Sequence, residues 1–86
     1  MNNISNPPAM ILNGVTPREK EVLLLLSYEF TSKEIASKLF ISTHTVESHK
    51  KNLKRKLSSK NVVGLIRKAF EWGILPVVNF DYRVSA

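Results

Sequence analysis

The chain has 86 residues, room for one small domain and not for two. It contains no cysteine, which excludes a disulfide framework and thiolate metal sites. Its longest apolar run, Val22 to Leu26, is far too short to span a membrane. An apolar fraction of 43% suits a folded globular domain, and no charged segment followed by an apolar stretch reads as a secretion signal. The expectation is a soluble, intracellular module. The net charge of +6 is unevenly spread. Residues 1–37 hold three basic and four acidic side chains, residues 38–68 nine and one, and residues 69–86 one and two. A positive band confined to the middle third points to a surface that faces a polyanion.

Residues 1–14 carry four asparagines, Pro7 and Pro8, and read as a linker in which Met10-Ile11-Leu12 could lie on an apolar surface. Thr16-Pro17-Arg18-Glu19 is a capping box, with Pro17 at the first helical position, where its missing N–H costs nothing. It opens a helix expected to run through Val22–Leu26 to about Tyr28. Thr31-Ser32-Lys33-Glu34 is a second capping box, opening a short helix through Ile35, Ala36 and Leu39.

Phe40-Ile41 then makes a tight connection to Ser42, an N-cap for a third helix from about Thr43 to Leu57. Asn61 caps a fourth helix ending near Trp72, with Gly73 suited to a left-handed C′ position and Pro76 blocking continuation. From Val77 onward, Val78, Phe80, Tyr82 and Val84 alternate with polar residues, a period of two that signals a strand. Such a strand needs a partner, either Met10–Leu12 or another subunit; a loosely ordered terminus is the plainer alternative. The expected architecture is all-α. Four helices fill residues 15–75, and residues 76–86 form a C-terminal extension with room for a short β element.

The third helix carries the chemistry. On a helical wheel Val46, Leu53 and Leu57 form a narrow apolar seam, while His44, Glu47, Ser48, Lys51 and Arg55 lie opposite. Thr45, Asn52 and Lys56 flank the polar face on one edge and Lys50 and Lys54 on the other. A helix fits the major groove of B-DNA, where Glu47 can accept from a cytosine amino group, Lys51 can donate to guanine O6/N7, and Ser48 can do either. The flanking cations and hydroxyls, with Lys54 and Arg55 among the cations, suit phosphates. An acid inside a basic helix repels phosphate, so Glu47 is better placed beside bases; its structural alternative is an ion pair with Lys51 one turn on. A short helix, a tight turn plugged by Ile41 and a longer basic helix make a helix-turn-helix, in which the small Ala36 allows close approach.

These residues resemble a known family. Val15 to Leu23 is similar to the L-T-x-R-E-x-E-V-L opening of the LuxR/FixJ (GerE-type) DNA-binding domain, Ser32-Lys33-Glu34-Ile35-Ala36 to its N-K-E-I-A segment, and Ile41 to Val46 to its I-S-x-x-T-V. His49, Lys56-Leu57 and Ala69 through Gly73-Ile74 also fall where that pattern places His, Lys-Leu, Ala and Gly-Leu. The resemblance covers residues 15–75. It implies a four-helix domain whose third helix reads double-stranded operator DNA and which pairs through its fourth helix on a two-fold site. Carried over by position, Glu47, Ser48 and Lys51 face bases, and Lys33, Thr45, His49 and Lys56 lie near phosphate. Glu47 departs from the family's frequent Lys, and Glu29 and Ser58 occupy positions that are usually Gly. A left-handed turn kept at Glu29 would cost about 1 kcal/mol relative to Gly.

His49 lies between seam and flank, so a half-buried structural histidine is the alternative to a phosphate contact. Neither histidine has a carboxylate pair or a cysteine beside it, so no catalytic role, metal site or cofactor is expected. On the fourth helix apolar residues span about half the wheel, wider than one core-facing stripe requires. Val63 and Phe70 are left for a second subunit, or for packing against the tail. Leu24 points away from Val22 and Leu26 and is a contact for a regulatory domain outside this chain. The expected function is sequence-specific DNA binding by the effector domain of a bacterial transcription regulator, acting as a dimer in the cytoplasm at the nucleoid. The sequence suggests a C-terminal fragment, with a free-standing short regulator as the alternative. Two rivals stay open: a sigma-region-4-like promoter module, and a helical adaptor whose basic band meets an acidic protein.

Overall fold

Side-chain caps set the start of each helix. The computed structural model describes residues 14–76, which hold four complete helices: α1 (Pro17–Ser27), α2 (Ser32–Leu39), α3 (Thr43–Lys56) and α4 (Val62–Glu71). Thr16 and Glu19 form the capping box expected for α1, and Thr31 and Glu34 that expected for α2. The Ser42 hydroxyl accepts from the Thr45 amide at 3.0 Å, and the Asn61 side chain accepts from the Gly64 amide at 2.9 Å. Each bond satisfies a backbone donor that a helix leaves unpaired at its start. No strand occurs among the described residues. Met10–Leu12 and the alternating stretch from Val77 lie outside them.

The helix ends share one device. Glu29 (φ 70°), Phe40 (φ 59°), Ser58 (φ 54°) and Gly73 (φ 75°) all adopt the left-handed conformation. Around three of them the backbone closes the paired bonds of a Schellman motif. Phe30 N donates to Leu25 O and Glu29 N to Leu26 O; Ser59 N donates to Lys54 O and Ser58 N to Arg55 O; Ile74 N donates to Ala69 O and Gly73 N to Phe70 O. Gly73 occupies such a site without strain, whereas Glu29, Phe40 and Ser58 carry a Cβ there. The turn after α1 therefore keeps its left-handed geometry despite having Glu29 in place of glycine. Phe30, Ile41 and Ile74, one residue past the left-handed position, each pack against the core.

Helix α3 packs against α1, α2 and α4. Its seam of Val46, Leu53 and Leu57 is fully buried among Val22, Leu23, Ile35 and Leu65. Each such side chain contributes about 1.5–3 kcal/mol through burial. Ala36 is buried where α2 meets α3. With one face of α3 committed to this core, its opposite face is left in solvent.

Candidate nucleic-acid interface

The solvent face of α3 presents Thr43, His44, Glu47, Ser48, Lys51 and Arg55, all exposed. Thr45, His49, Asn52 and Lys54 form half-buried edges. The polar face read from the wheel is therefore the accessible one, and Lys33 on α2 is exposed as well. At the start of α3 the Thr45 hydroxyl lies 2.9 Å from that of Ser42.

Glu47 is held differently from the expectation. Its partner is Lys50, with Nζ 3.4 Å from Oε2, rather than Lys51. The Ser32 hydroxyl, reaching across from α2, donates to the same oxygen, and Lys50 Nζ also donates to Ser32 Oγ at 3.0 Å. These contacts lower the Glu47 pKa below the ordinary carboxylate range. The Ser32 hydrogen bond is the largest cause, opposed by slight burial and aided by the positive charges of Lys50 and Lys54. Lys51, freed from Glu47, projects into solvent.

The basic run divides into cations that build the fold and cations that stay free. Lys56, expected near phosphate, belongs to the first group. Its Nζ donates to Glu19 Oε1 at 2.8 Å, to Glu19 Oε2 at 3.0 Å and to the Gly14 carbonyl at 2.6 Å. All three ammonium donors are thereby used, which gives Lys56 a role inside the fold. Glu19 doubles as the α1 capping residue, its Oε1 accepting from the Thr16 amide at 3.0 Å. Lys68 Nζ donates to the Leu57 and Ser58 carbonyls at 2.9 and 2.6 Å, closing the C-terminal end of α3. Lys38 sits 4.5 Å from the centroid of the Phe30 ring, and Arg67 pairs with Glu71 at 3.6 Å. Lys33, Lys51, Lys54 and Arg55 enter no hydrogen bond or ion pair among the described residues.

On α4, Leu65 and Ala69 are buried, while Val63 is 79% exposed and Phe70 37% exposed. Val63 stands at the edge of an open groove of about 570 Å³ whose walls include Leu26, Phe30, Val62 and Ile66. Leu24 on α1 and Tyr28 at its C-terminal cap are exposed. Among the described residues no group of three or more His, Cys, Asp or Glu side chains could hold a metal ion, and no helix is long and apolar enough to cross a membrane.

Comparison with known proteins gives a consistent set of relatives. The family described as "Bacterial regulatory proteins, luxR family" matches residues 13–69. Transcriptional regulatory protein MctR of Rhizobium johnstonii is 45% identical over 64 residues, which cover 74% of this chain and 30% of that protein. Oxygen regulatory protein NreC of Staphylococcus carnosus is 40% identical over 73 residues, or 85% of this chain and 32% of that protein. Among solved structures, the response regulator ChrA of a heme-sensing two-component system superposes with a TM-score of 0.69 at 31% identity, over 71% of this chain and 30% of that one. The chain thus spans about a third of the length of these relatives.

Proposed function

Because the chain belongs to the luxR family of bacterial regulatory proteins, we propose that it is the sequence-specific, double-stranded-DNA-binding effector domain of a response-regulator-type transcription regulator. One observation carries this reading. Helix α3 buries an apolar seam on one side and presents Glu47, Ser48, Lys51 and Arg55 unobstructed on the other. A helix displayed in this way fits the major groove.

In this reading Glu47, Ser48 and Lys51 face base edges. Lys33, Thr45, His49, Lys54 and Arg55 surround them at positions suited to phosphates. Lys56 takes no part, since its charge is matched inside the fold. Pairing on DNA runs through α4, where Val63 and Phe70 are exposed and Val63 lines the open groove. A regulatory domain N-terminal to these residues accounts for the remaining length of the relatives, and the protein works in the cytoplasm, on the nucleoid. No enzymatic step and no cofactor enter this role.

The test is titration with duplexes from a randomised library at several salt concentrations. A recovered inverted repeat, bound with log affinity falling by about 0.9 per neutralised phosphate against log salt, is the expected result. Negligible binding even at low salt would favour the helical adaptor. Tight operator binding by the isolated chain would count against the sigma-region-4-like module, which acts only with RNA polymerase.

A further inference from the structure

Glu47 is the one acidic side chain between residues 38 and 68, and its carboxylate does not hang free. Oε2 accepts from the Ser32 hydroxyl of α2 and lies 3.4 Å from Lys50 Nζ, which donates in turn to Ser32 Oγ at 3.0 Å. The three groups close a small ring across the α2–α3 junction. Oε1 takes no hydrogen bond among the described residues. One carboxylate oxygen is thus tied to the protein and the other is open to a ligand.

We propose that Ser32 is a specificity-determining residue that acts through Glu47, anchoring one carboxylate oxygen so that the other meets the groove floor as a single fixed acceptor. The inference rests on the DNA-reading role given to α3. An untethered glutamate samples many rotamers, and ordering it on docking costs conformational entropy. Here that ordering precedes docking. A fixed acceptor rewards a base-edge amino group, cytosine N4 or adenine N6, and is repelled by guanine O6/N7 or thymine O4. Lys50 adds a second effect. Its side chain is only 17% exposed and its charge faces Glu47, so it offsets the repulsion between an acid and the phosphates on either side. The lowered Glu47 pKa agrees with an acceptor kept ionised.

Ser32 can be altered without dismantling α2, because the N-cap is Thr31 and the capping box uses Thr31 and Glu34. The experiment measures binding of the wild-type chain, Ser32→Ala, Ser32→Thr, Glu47→Ala and the double variant Ser32→Ala/Glu47→Ala to the selected duplex and to duplexes carrying each alternative base pair. Ser32→Ala is expected to reduce discrimination roughly fivefold, the scale of one hydrogen bond, at the same base pair that Glu47→Ala affects. It should have no further effect in the Glu47→Ala background, and Ser32→Thr should keep the wild-type preference. The salt slope should stay unchanged. Equal weakening on every duplex would make the hydroxyl a sequence-independent backbone contact and overturn the proposal, as would an unaltered preference in Ser32→Ala.

Two readouts separate this inference from its premise. If the wild-type chain selects no motif, the DNA-reading role fails and the specificity role falls with it. If it selects one and Ser32→Ala reads it identically, only the role of Ser32 is lost. NMR titration of the Glu47 carboxyl in the DNA-free chain examines the tether itself. Its midpoint should rise toward the ordinary glutamate range in Ser32→Ala, and an unmoved midpoint would show that Ser32 does not hold the carboxylate.

Discussion

Lys56 and Glu19 stand 37 residues apart and meet in a part-buried ion pair, Nζ lying 2.8 and 3.0 Å from the two carboxylate oxygens. The pair joins the end of α3 to the start of α1. Its third hydrogen bond, to the Gly14 carbonyl, secures the backbone that leads into the domain. Lys56 directly follows the exposed, basic Arg55, yet its own charge serves the fold.

Lys56→Met keeps the aliphatic stem and removes the charge, leaving the Glu19 carboxylate, 5% exposed, without its counterion. Stability should fall by about 3 kcal/mol, because an uncompensated buried charge costs more than the intact pair contributes. The urea midpoint reads this loss. The salt slope of DNA binding should not change. A slope lowered by about 1 with unaltered stability would put Lys56 back among the phosphate contacts.

Val63→Asp tests pairing through α4. At 79% exposure the substitution should leave stability within about 0.5 kcal/mol of wild type. Affinity for a duplex with both half-sites should drop roughly tenfold, the scale of one interface hot-spot residue, while binding to a single half-site persists. Equal loss on both duplexes would remove Val63 from the dimer contact.

Glu29→Gly and Ser58→Gly relieve left-handed strain at helix ends where the backbone already has φ of 70° and 54°. Relief of about 1–2 kcal/mol is partly offset by the greater freedom of glycine in the unfolded chain. Each variant should gain about 0.5–1 kcal/mol, seen as a higher thermal midpoint. A loss of stability at either site would mean that its side chain contributes more than the strain removes.

Stability should also depend on acid through Glu34. The Thr31 backbone amide, donating to the carboxylate at 2.8 Å, is the main cause of its lowered pKa, followed by the Thr31 hydroxyl. A folded-state pKa below the unfolded value, about 4.3, means that this contribution is complete above that pH and is lost as pH falls through the folded value. Glu34→Gln keeps an acceptor for the Thr31 amide but cannot titrate. Its stability should therefore fall less steeply than that of the wild type below about pH 4.3. Parallel curves would rule out this linkage.

Much of the fold was legible because its signals are local. The Thr16/Glu19 and Thr31/Glu34 boxes, the Asn61 cap and the left-handed Gly73 each involve residues within a few positions of one another. The wheel of α3 separated buried Val46, Leu53 and Leu57 from exposed Glu47, Ser48, Lys51 and Arg55 for the same reason. The counterions were not legible. A wheel gives a residue its direction and leaves unstated what another helix brings to meet it. Hence the Glu19 counterion of Lys56, the Ser32 hydroxyl on Glu47 and the carbonyls that Lys68 caps all escape the wheel. In each case the decisive partner arrives from a different helix, by a packing geometry that local patterns do not encode.

Lys68 has one further bearing. By donating to the Leu57 and Ser58 carbonyls it fastens the C-terminal end of α3 to the body of α4. Any slippage of one helix past the other has to stretch or break these two bonds.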